Sequence, residues 1–168
     1  VVTAHCPPDM VRGFTAYHLN LGAERVYVYL DDPKPEWHLG LDHPGVEVFE
    51  RPREAYHQLG LSHEASSALN KRSAFNAQDA LSRAREANID WLARIDIDEL
   101  IQTPSHHMGD LLKRVPADTQ QIMLNTREAV PTRLEISDPF TEITRFKFHY
   151  PWWSLKRGGA ERLMIKAL

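Results

Sequence analysis

The sequence predicts an α/β fold with a mostly parallel central sheet flanked by helices. Short runs of apolar, β-branched and aromatic residues alternate along the chain with longer stretches of helical periodicity. Strands that alternate with helices are typical of parallel sheets, because a parallel neighbour requires a long crossover connection. The chain has 168 residues, 42% hydrophobic and 26% charged, which suits an ordinary globular protein with one sizeable core.

The first half of the chain contains three predicted strands and one helix. Two consecutive prolines suit the start of the helix, which follows the first strand and continues at helical spacing to Gly22, a residue type that commonly ends helices. The second strand is β-branched and aromatic, which predicts burial, and it stops at the turn sequence Asp31-Asp32-Pro33. The three strands are predicted at residues 1–4, 25–30 and 46–49.

The second half opens on a long predicted helix over residues 63–87. Its apolar stripe is assigned to Ala74, Ala77, Leu81 and Ala84, and its polar faces to Lys71, Arg72, Arg83 and Arg85. The next predicted elements are a strand at residues 91–97, a helix from Ser105 to about residue 114, and strands at residues 121–125 and 143–148.

The strand predicted at residues 91–97 runs directly into the acidic sequence Asp96-Ile97-Asp98-Glu99. Alternation along a strand would place Asp96 and Asp98 on one face, about 6.6–7 Å apart. Mg²⁺ and Mn²⁺ prefer such carboxylate oxygens and often take their remaining ligands from substrate and water. A solvated acidic turn is the alternative. The strand context favours a metal site, because crowded like charges disfavour each other unless something neutralises them.

Two further features allow a functional and a structural interpretation. Asp31 and Asp32 end the second strand, where a carboxylate could bind a base or ribose, or simply form a turn. Trp152 and Trp153 could stack on a sugar, although core or interface packing is the more common role of such residues. Open α/β sheets bind ligands beyond the carboxyl ends of their strands, and both acidic sequences are predicted at that edge.

Several segments resemble the family-2-like and family-92-like glycosyltransferases of the GT-A type. Residues 76–100 match a helix, then Asp-Trp-Leu, then an apolar strand that ends in Asp-x-Asp-Glu. The opening is similar to these families in Tyr17-His18-x-x-Leu21-Gly22, followed by a strand and Asp31. The similarity covers roughly the first hundred residues and thins out beyond Leu100.

The resemblance implies a GT-A (Rossmann-like) fold that binds a nucleoside-diphosphate sugar and a divalent metal, Mn²⁺ or Mg²⁺. The sugar would pass to an acceptor hydroxyl on a glycan, lipid or protein. Carried over by position, Asp98 would bind the metal directly, and Asp96 would share the metal or hold the ribose. Thr3 and Asp31, with Asp32 beside it, would lie next to the nucleoside, and Glu99 would orient a ligand or a neighbouring backbone group.

We expect a single domain over residues 1–168, cut from a longer protein at one or both ends. Residues 1–101 would form the nucleotide-sugar-binding half and residues 102–168 the acceptor-side half. A net charge of −3 argues against nucleic-acid binding, and no apolar run is long enough to cross a membrane. One cysteine, Cys6, allows no internal disulfide, and we expect a cytoplasmic location.

Two other functions are compatible with parts of the pattern. A degenerate GT-A domain could bind a nucleotide or carbohydrate without turnover. Phosphatases of the haloacid dehalogenase type also use an apolar strand that ends in Asp-x-Asp. They require Thr or Gly soon after the second aspartate, however, whereas Glu99 and Leu100 follow here.

Overall fold

The computed structural model describes residues 1–35, 41–63, 66–147 and 162–166, with residues 66–67 and 162–166 described by their backbone alone. Its centre is a parallel three-stranded sheet in the order β1-β2-β3. These strands are β1 (Val2–Ala4), β2 (Val26–Asp31) and β3 (Val46–Arg51). Every residue of β2 is buried, as the β-branched and aromatic sequence predicts for a central strand.

Helices cover both faces of this sheet. On one face, Val11 and Phe14 of α1 (Pro8–Asn20) join the core formed by β1 and β2. On the other face, Ala80 and Ala84 of α3 (Ser66–Glu86) pack against Tyr27 and Tyr29 of β2. Alanines leave room for the tyrosine rings, so the helix can lie close to the sheet. The predicted α/β class is confirmed, and the arrangement is consistent with a Rossmann-like fold.

A second group of strands lies outside the parallel central sheet, and it is antiparallel. It has the order β4-β6-β5 and consists of β4 (Trp91–Ala93), β5 (Gln121–Leu124) and β6 (Arg162–Lys166). The chain that leaves β4 lies beside β1: Val1 N donates to Ala93 O at 2.6 Å, and Ile95 N donates to Val1 O at 3.3 Å. This pattern is that of parallel neighbours, so β4 connects the two groups of strands.

Several predicted boundaries differ from the structure. The strand predicted at residues 91–97 already ends at Ala93, so the acidic sequence lies in the following turn. The strand predicted at residues 143–148 is absent as far as residue 147, where the described part stops. Helix α5 (Pro139–Glu142) precedes this segment, and Phe146 forms a single bridge with Ala129. Helix α4 (Met108–Leu112) is capped by His107 and not by Ser105, because the His107 side chain accepts from Gly109 N.

The long predicted helix is α3, with a buried stripe in a different position from the one we assigned. The predicted stripe member Ala74 is exposed, and Ala77 and Leu81 are only partly buried. A six-residue helix, α2 (Arg53–Gln58), was not predicted, because Tyr56 is its single buried residue. The buried stripe of α3 has a spacing of four residues and consists of Ala68, Arg72, Asn76, Ala80 and Ala84.

Gly22 ends α1 as predicted, because its φ of +100° suits glycine far better than other residues. Gly22 N donates to Leu19 O and Ala23 N to His18 O, both at 3.0 Å, which is a Schellman motif. A Cβ at Gly22 would lie only 2.8 Å from Nε2 of His107. The end of α1 therefore has no space for a larger residue.

Gly22→Ala is expected to lower the free energy of unfolding by about 2–3 kcal/mol, through backbone strain and the clash with His107. Gly60→Ala is the matched control. Gly60 also has a positive φ of +69°, but nothing lies within 4 Å of the position that an added methyl group would take, so only the backbone strain of about 1 kcal/mol should be measured. Equal losses in urea unfolding of the two variants would show that the contact with His107 is unimportant.

Candidate functional site

The carboxyl ends of the parallel strands bring several polar side chains to one edge of the sheet. His5 follows β1, Asp31 ends β2 and Arg51 ends β3. His5 Nδ1 lies 2.6 Å from Asp31 O, so the ends of β1 and β2 are joined by a side chain as well as by the strand ladder. This edge is where open α/β sheets bind ligands.

Asp31 is buried at this edge and lies against the side chains of Arg72 and His63. Its Oδ2 accepts from Nε and Nη2 of Arg72 at 3.1 and 2.8 Å, and His63 Nε2 lies 2.7 Å from Oδ1. The side chains of Asp31 and Arg72 are 1% and 6% exposed, so the ion pair is shielded from water. Arg72 also donates through Nη1 to Ser62 O at 2.9 Å, which fixes the guanidinium in place. Asp31 was predicted to contact the nucleoside, but both of its carboxylate oxygens lie next to protein side chains in this structure.

Asp32 is more accessible than Asp31, with 31% of its side chain exposed. It adopts a φ of +55°, which aspartate tolerates better than most residues. Arg53 Nε donates to its Oδ2 at 2.8 Å, and this hydrogen bond holds the pKa of Asp32 below its ordinary value. A charged carboxylate that partly faces solvent therefore lies next to the buried ion pair.

Thr3 of β1 contacts the helix that packs over the sheet. Its Oγ1 accepts from Asn76 Nδ2 at 3.0 Å, and the same nitrogen donates to Tyr56 Oη at 2.8 Å. Asn76 is fully buried, so this amide ties α3 to both β1 and α2. The hydroxyl of Thr3, which the resemblance placed beside the nucleoside, is directed to α3 in this structure.

The acidic sequence forms a tight turn that directly follows residues 93–95, the segment that lies beside β1. Glu99 N donates to Asp96 O at 3.1 Å, and Glu99 Oε2 in return accepts from Asp96 N at 3.4 Å. Asp96 and Asp98 are exposed, whereas Ile97 and Glu99 are partly buried. The two aspartates are therefore presented by a turn and not by one face of a strand, and the spacing expected for a strand does not apply. We call residues 96–99 the acidic turn.

Cys6, just beyond β1, packs against the same hydrophobic core cluster as Ile97 of the acidic turn. Burial raises the pKa of the Cys6 thiol to about 11, and the negative charge of Asp98 contributes to this rise. A thiol with so high a pKa is protonated at neutral pH and is a poor nucleophile. The chain enters the acidic turn as a parallel neighbour of β1, because Ile95 N donates to Val1 O, and the turn therefore follows β1 towards the sheet edge that carries Asp31.

Two exposed carboxylates separated by one residue suit a hard divalent cation. Within the described ranges, His, Cys, Asp and Glu form no group of three or more that could hold a metal ion. Mg²⁺ commonly binds through one or two protein carboxylates, with substrate phosphates and water as its other ligands. The carboxylates of Asp96 and Asp98 therefore fit a metal ion whose remaining ligands are phosphate oxygens and water.

Arg72 and Asn76 belong to this edge, although the sequence interpretation did not single them out. We assigned Arg72 to a polar helix face, but it is 5% exposed, and Asn76 is fully buried. The signal that could have found them is the spacing of four residues from Ala68 through Arg72 and Asn76 to Ala80. Arg53 comes from α2, which the sequence interpretation left unassigned, and His63 was predicted only as the start of the long helix. Trp152 and Trp153 lie outside the described residues.

Comparison with curated proteins supplies independent information on function. A protein of Arabidopsis thaliana named glycosyltransferase-like is 28% identical over 153 residues, which cover 80% of this chain and 34% of that protein. A second glycosyltransferase-like protein of Arabidopsis thaliana is 25% identical over 123 residues, which cover 64% of this chain and 24% of that protein. These relatives support a glycosyltransferase.

A glycosyltransferase uses a sugar donor and an acceptor. The chain spans about a third of the length of the first relative and about a quarter of the second. No protein-family model and no solved structure matches the chain. The relatives favour neither the phosphatase nor the degenerate binding domain considered above. In the part of the chain that is described, no helix has the length and apolar character to cross a membrane.

Proposed function

We propose that this chain is the donor-binding part of a GT-A type glycosyltransferase. It would transfer a sugar from a nucleoside-diphosphate sugar to a hydroxyl of a glycan, lipid or protein, with Mn²⁺ or Mg²⁺ on the diphosphate. The observation that carries the proposal is the acidic turn, which exposes Asp96 and Asp98 next to the carboxyl edge of a parallel sheet. Both relatives support the transfer of a sugar. The diphosphate donor and the metal are inferred from the carboxylates at this edge of the sheet.

Asp96 and Asp98 would hold the metal ion in this proposal. A cation held there would stabilise the negative charge on the departing diphosphate, an effect of several kcal/mol. Glu99 keeps the two aspartates in their turn by accepting from the backbone of Asp96. The exposed position of both aspartates leaves room for phosphate oxygens and water to complete the coordination.

The nucleoside would lie over the ends of β1 and β2. Asp32 offers it a charged acceptor for a ribose hydroxyl or a base N–H, because its carboxylate is partly exposed. Asp31 does not contact the nucleoside itself in this arrangement. It holds the side chains of Arg72 and His63 in place at the carboxyl ends of the strands. Thr3 acts in the same way by fixing Asn76 over β1. These side chains are then already in place before the sugar donor binds.

A thermal-unfolding series tests the proposal directly. UDP, GDP, CDP and dTDP are each added with and without Mn²⁺ or Mg²⁺. For one of them, the increase in unfolding temperature is expected to be several-fold larger with metal than without. Asp98→Asn should abolish the part of the shift that depends on metal, because an amide is a far weaker ligand than a carboxylate.

Asp118→Asn is the matched control for Asp98→Asn. Asp118 is also an exposed aspartate in a turn, but it lies between α4 and the antiparallel strand β5. This variant should keep the full metal-dependent shift. A wild-type protein that no nucleoside diphosphate stabilises in a metal-dependent way would refute the proposed function, and a shift that survives Asp98→Asn would move the metal away from the acidic turn.

A further inference from the structure

The acidic turn is held at both of its ends by backbone hydrogen bonds to other elements. On the side that enters the turn, Ile95 N donates to Val1 O at 3.3 Å, beside β1. On the side that leaves it, the backbone of Ile101 is bound from α1. Ile95 and Ile101 are both 7% exposed and belong to the same hydrophobic core cluster. The exposed aspartates therefore sit between two anchored, buried positions.

Two consecutive side chains of α1 bind both backbone groups of Ile101. Tyr17 Oη donates to Ile101 O at 2.8 Å, and Ile101 N donates to His18 Nε2 at 3.4 Å. His18 Nδ1 lies 2.9 Å from Phe14 O, a carbonyl that can only accept, so the proton of the neutral ring is on Nδ1. Nε2 is then an acceptor, which is the role that the Ile101 amide requires.

The helix that carries this pair is itself fixed. Phe14 is buried in the core, and its ring lies against that of His18 with centroids 4.3 Å apart. At the end of α1, Met108 N donates to Leu21 O at 2.7 Å. The chain from Ile101 to Met108 is thus attached to α1 at both ends, and a shift of α1 would be transmitted to the acidic turn.

We propose that Tyr17 and His18 are positioning residues that fix the acidic turn for metal and diphosphate binding through the backbone of Ile101. This inference rests on the proposed function for its ligand, and it adds residues that touch neither the metal nor the donor. Asp98 precedes Ile101 by only three positions, so loosening Ile101 lets the carboxylate sample more positions. A metal site binds weakly when its ligands are not held in place.

Amide hydrogen exchange tests the positioning role without any ligand. Tyr17→Phe removes the hydroxyl that binds Ile101 O, and His18→Leu removes the acceptor for Ile101 N. Either change should speed exchange in a peptide that covers residues 96–101 about tenfold, as expected for the loss of one hydrogen bond. Exchange in β2 should not change. His18→Gln restores an acceptor oxygen and should return most of the protection.

Tyr27→Phe is the control, because it also removes only a tyrosine hydroxyl, here from a fully buried side chain. Within the described part of the chain, Tyr27 Oη has no hydrogen-bond partner, and Tyr27 lies on the face of β2 that packs on α3. Exchange over residues 96–101 that is equal in Tyr17→Phe and Tyr27→Phe would overturn the inference.

The ligand measurement then separates this inference from the proposed function. Using the nucleoside diphosphate that stabilises the wild type, Tyr17→Phe and His18→Leu should raise the Mn²⁺ concentration at half-maximal stabilisation about 10-fold, in the range seen for residues that orient metal ligands. An unchanged Mn²⁺ midpoint in both variants would overturn the positioning role. Absence of any metal-dependent shift in the wild type would refute the proposed function instead, and faster exchange over residues 96–101 would still identify the residues that fix the turn.

Discussion

Arg72→Ala is expected to lower the free energy of unfolding by about 3–5 kcal/mol, because it leaves the carboxylate of Asp31 buried without its guanidinium. Asp31 is only 1% exposed and cannot recover its lost interaction from water. His63 remains beside the carboxylate, but one imidazole cannot replace the two hydrogen bonds from Arg72. Urea unfolding at pH 7 measures the loss.

Arg85→Ala provides the control for this change, because Arg85 lies on the exposed side of the same helix. Its loss should change the free energy of unfolding by no more than about 0.5 kcal/mol. Arg72→Lys should recover only part of the stability, since an ammonium cannot form the paired hydrogen bonds of a guanidinium. If Arg72→Ala and Arg85→Ala have the same effect, the buried ion pair does not stabilise this edge of the sheet.

Lowering the pH from 7 to 5 is expected to cost about 2 kcal/mol of stability through His18 alone. Burial lowers the pKa of His18 from 6.5 to about 4 in the folded protein. Between these two values the unfolded chain binds a proton that the folded chain does not. Stability from this group is therefore complete above about pH 7, and it decreases as the pH falls towards 4.

The effect is measured as the difference in pH dependence between the wild type and His18→Gln. Groups other than His18 titrate in both proteins and cancel in this comparison. The free energy of unfolding of His18→Gln should fall by about 2 kcal/mol less than that of the wild type between pH 7 and 5. His57→Gln, which replaces an exposed histidine of α2, should show the wild-type profile. A wild-type profile in His18→Gln would mean that the ring is not held neutral by burial.

The central elements could be predicted from the sequence because their local pattern and their environment agree. The β-branched and aromatic run of β2 is buried throughout, and Gly22 ends α1 with the positive φ that its residue type suggested. The acidic sequence was found because it lies at the end of a predicted strand. That strand ends at Ala93 and not at residue 97, because an apolar run alone does not show where strand pairing stops.

The polar part of the buried stripe could not be predicted in the same way. A helix face is assigned to the core by hydrophobicity, so Arg72 was placed on a polar face and Asn76 was not included in the predicted stripe. Burial of these side chains depends on partners that are distant in the sequence: Asp31 lies 41 residues and Thr3 73 residues away. Helix α2 was missed for a related reason, since a helix with one buried residue has no periodicity to detect.

The stripe of α3 also limits how this protein can move. Helices that pack through small residues alone can slide past a sheet in shear motions. Ala80 and Ala84 would allow such sliding, but a displacement of one helical turn, about 5.4 Å, would remove Arg72 from Asp31 and Asn76 from Thr3 together. These hydrogen bonds therefore fix the register of α3 on the sheet, and any larger movement of the protein has to come from segments other than α3.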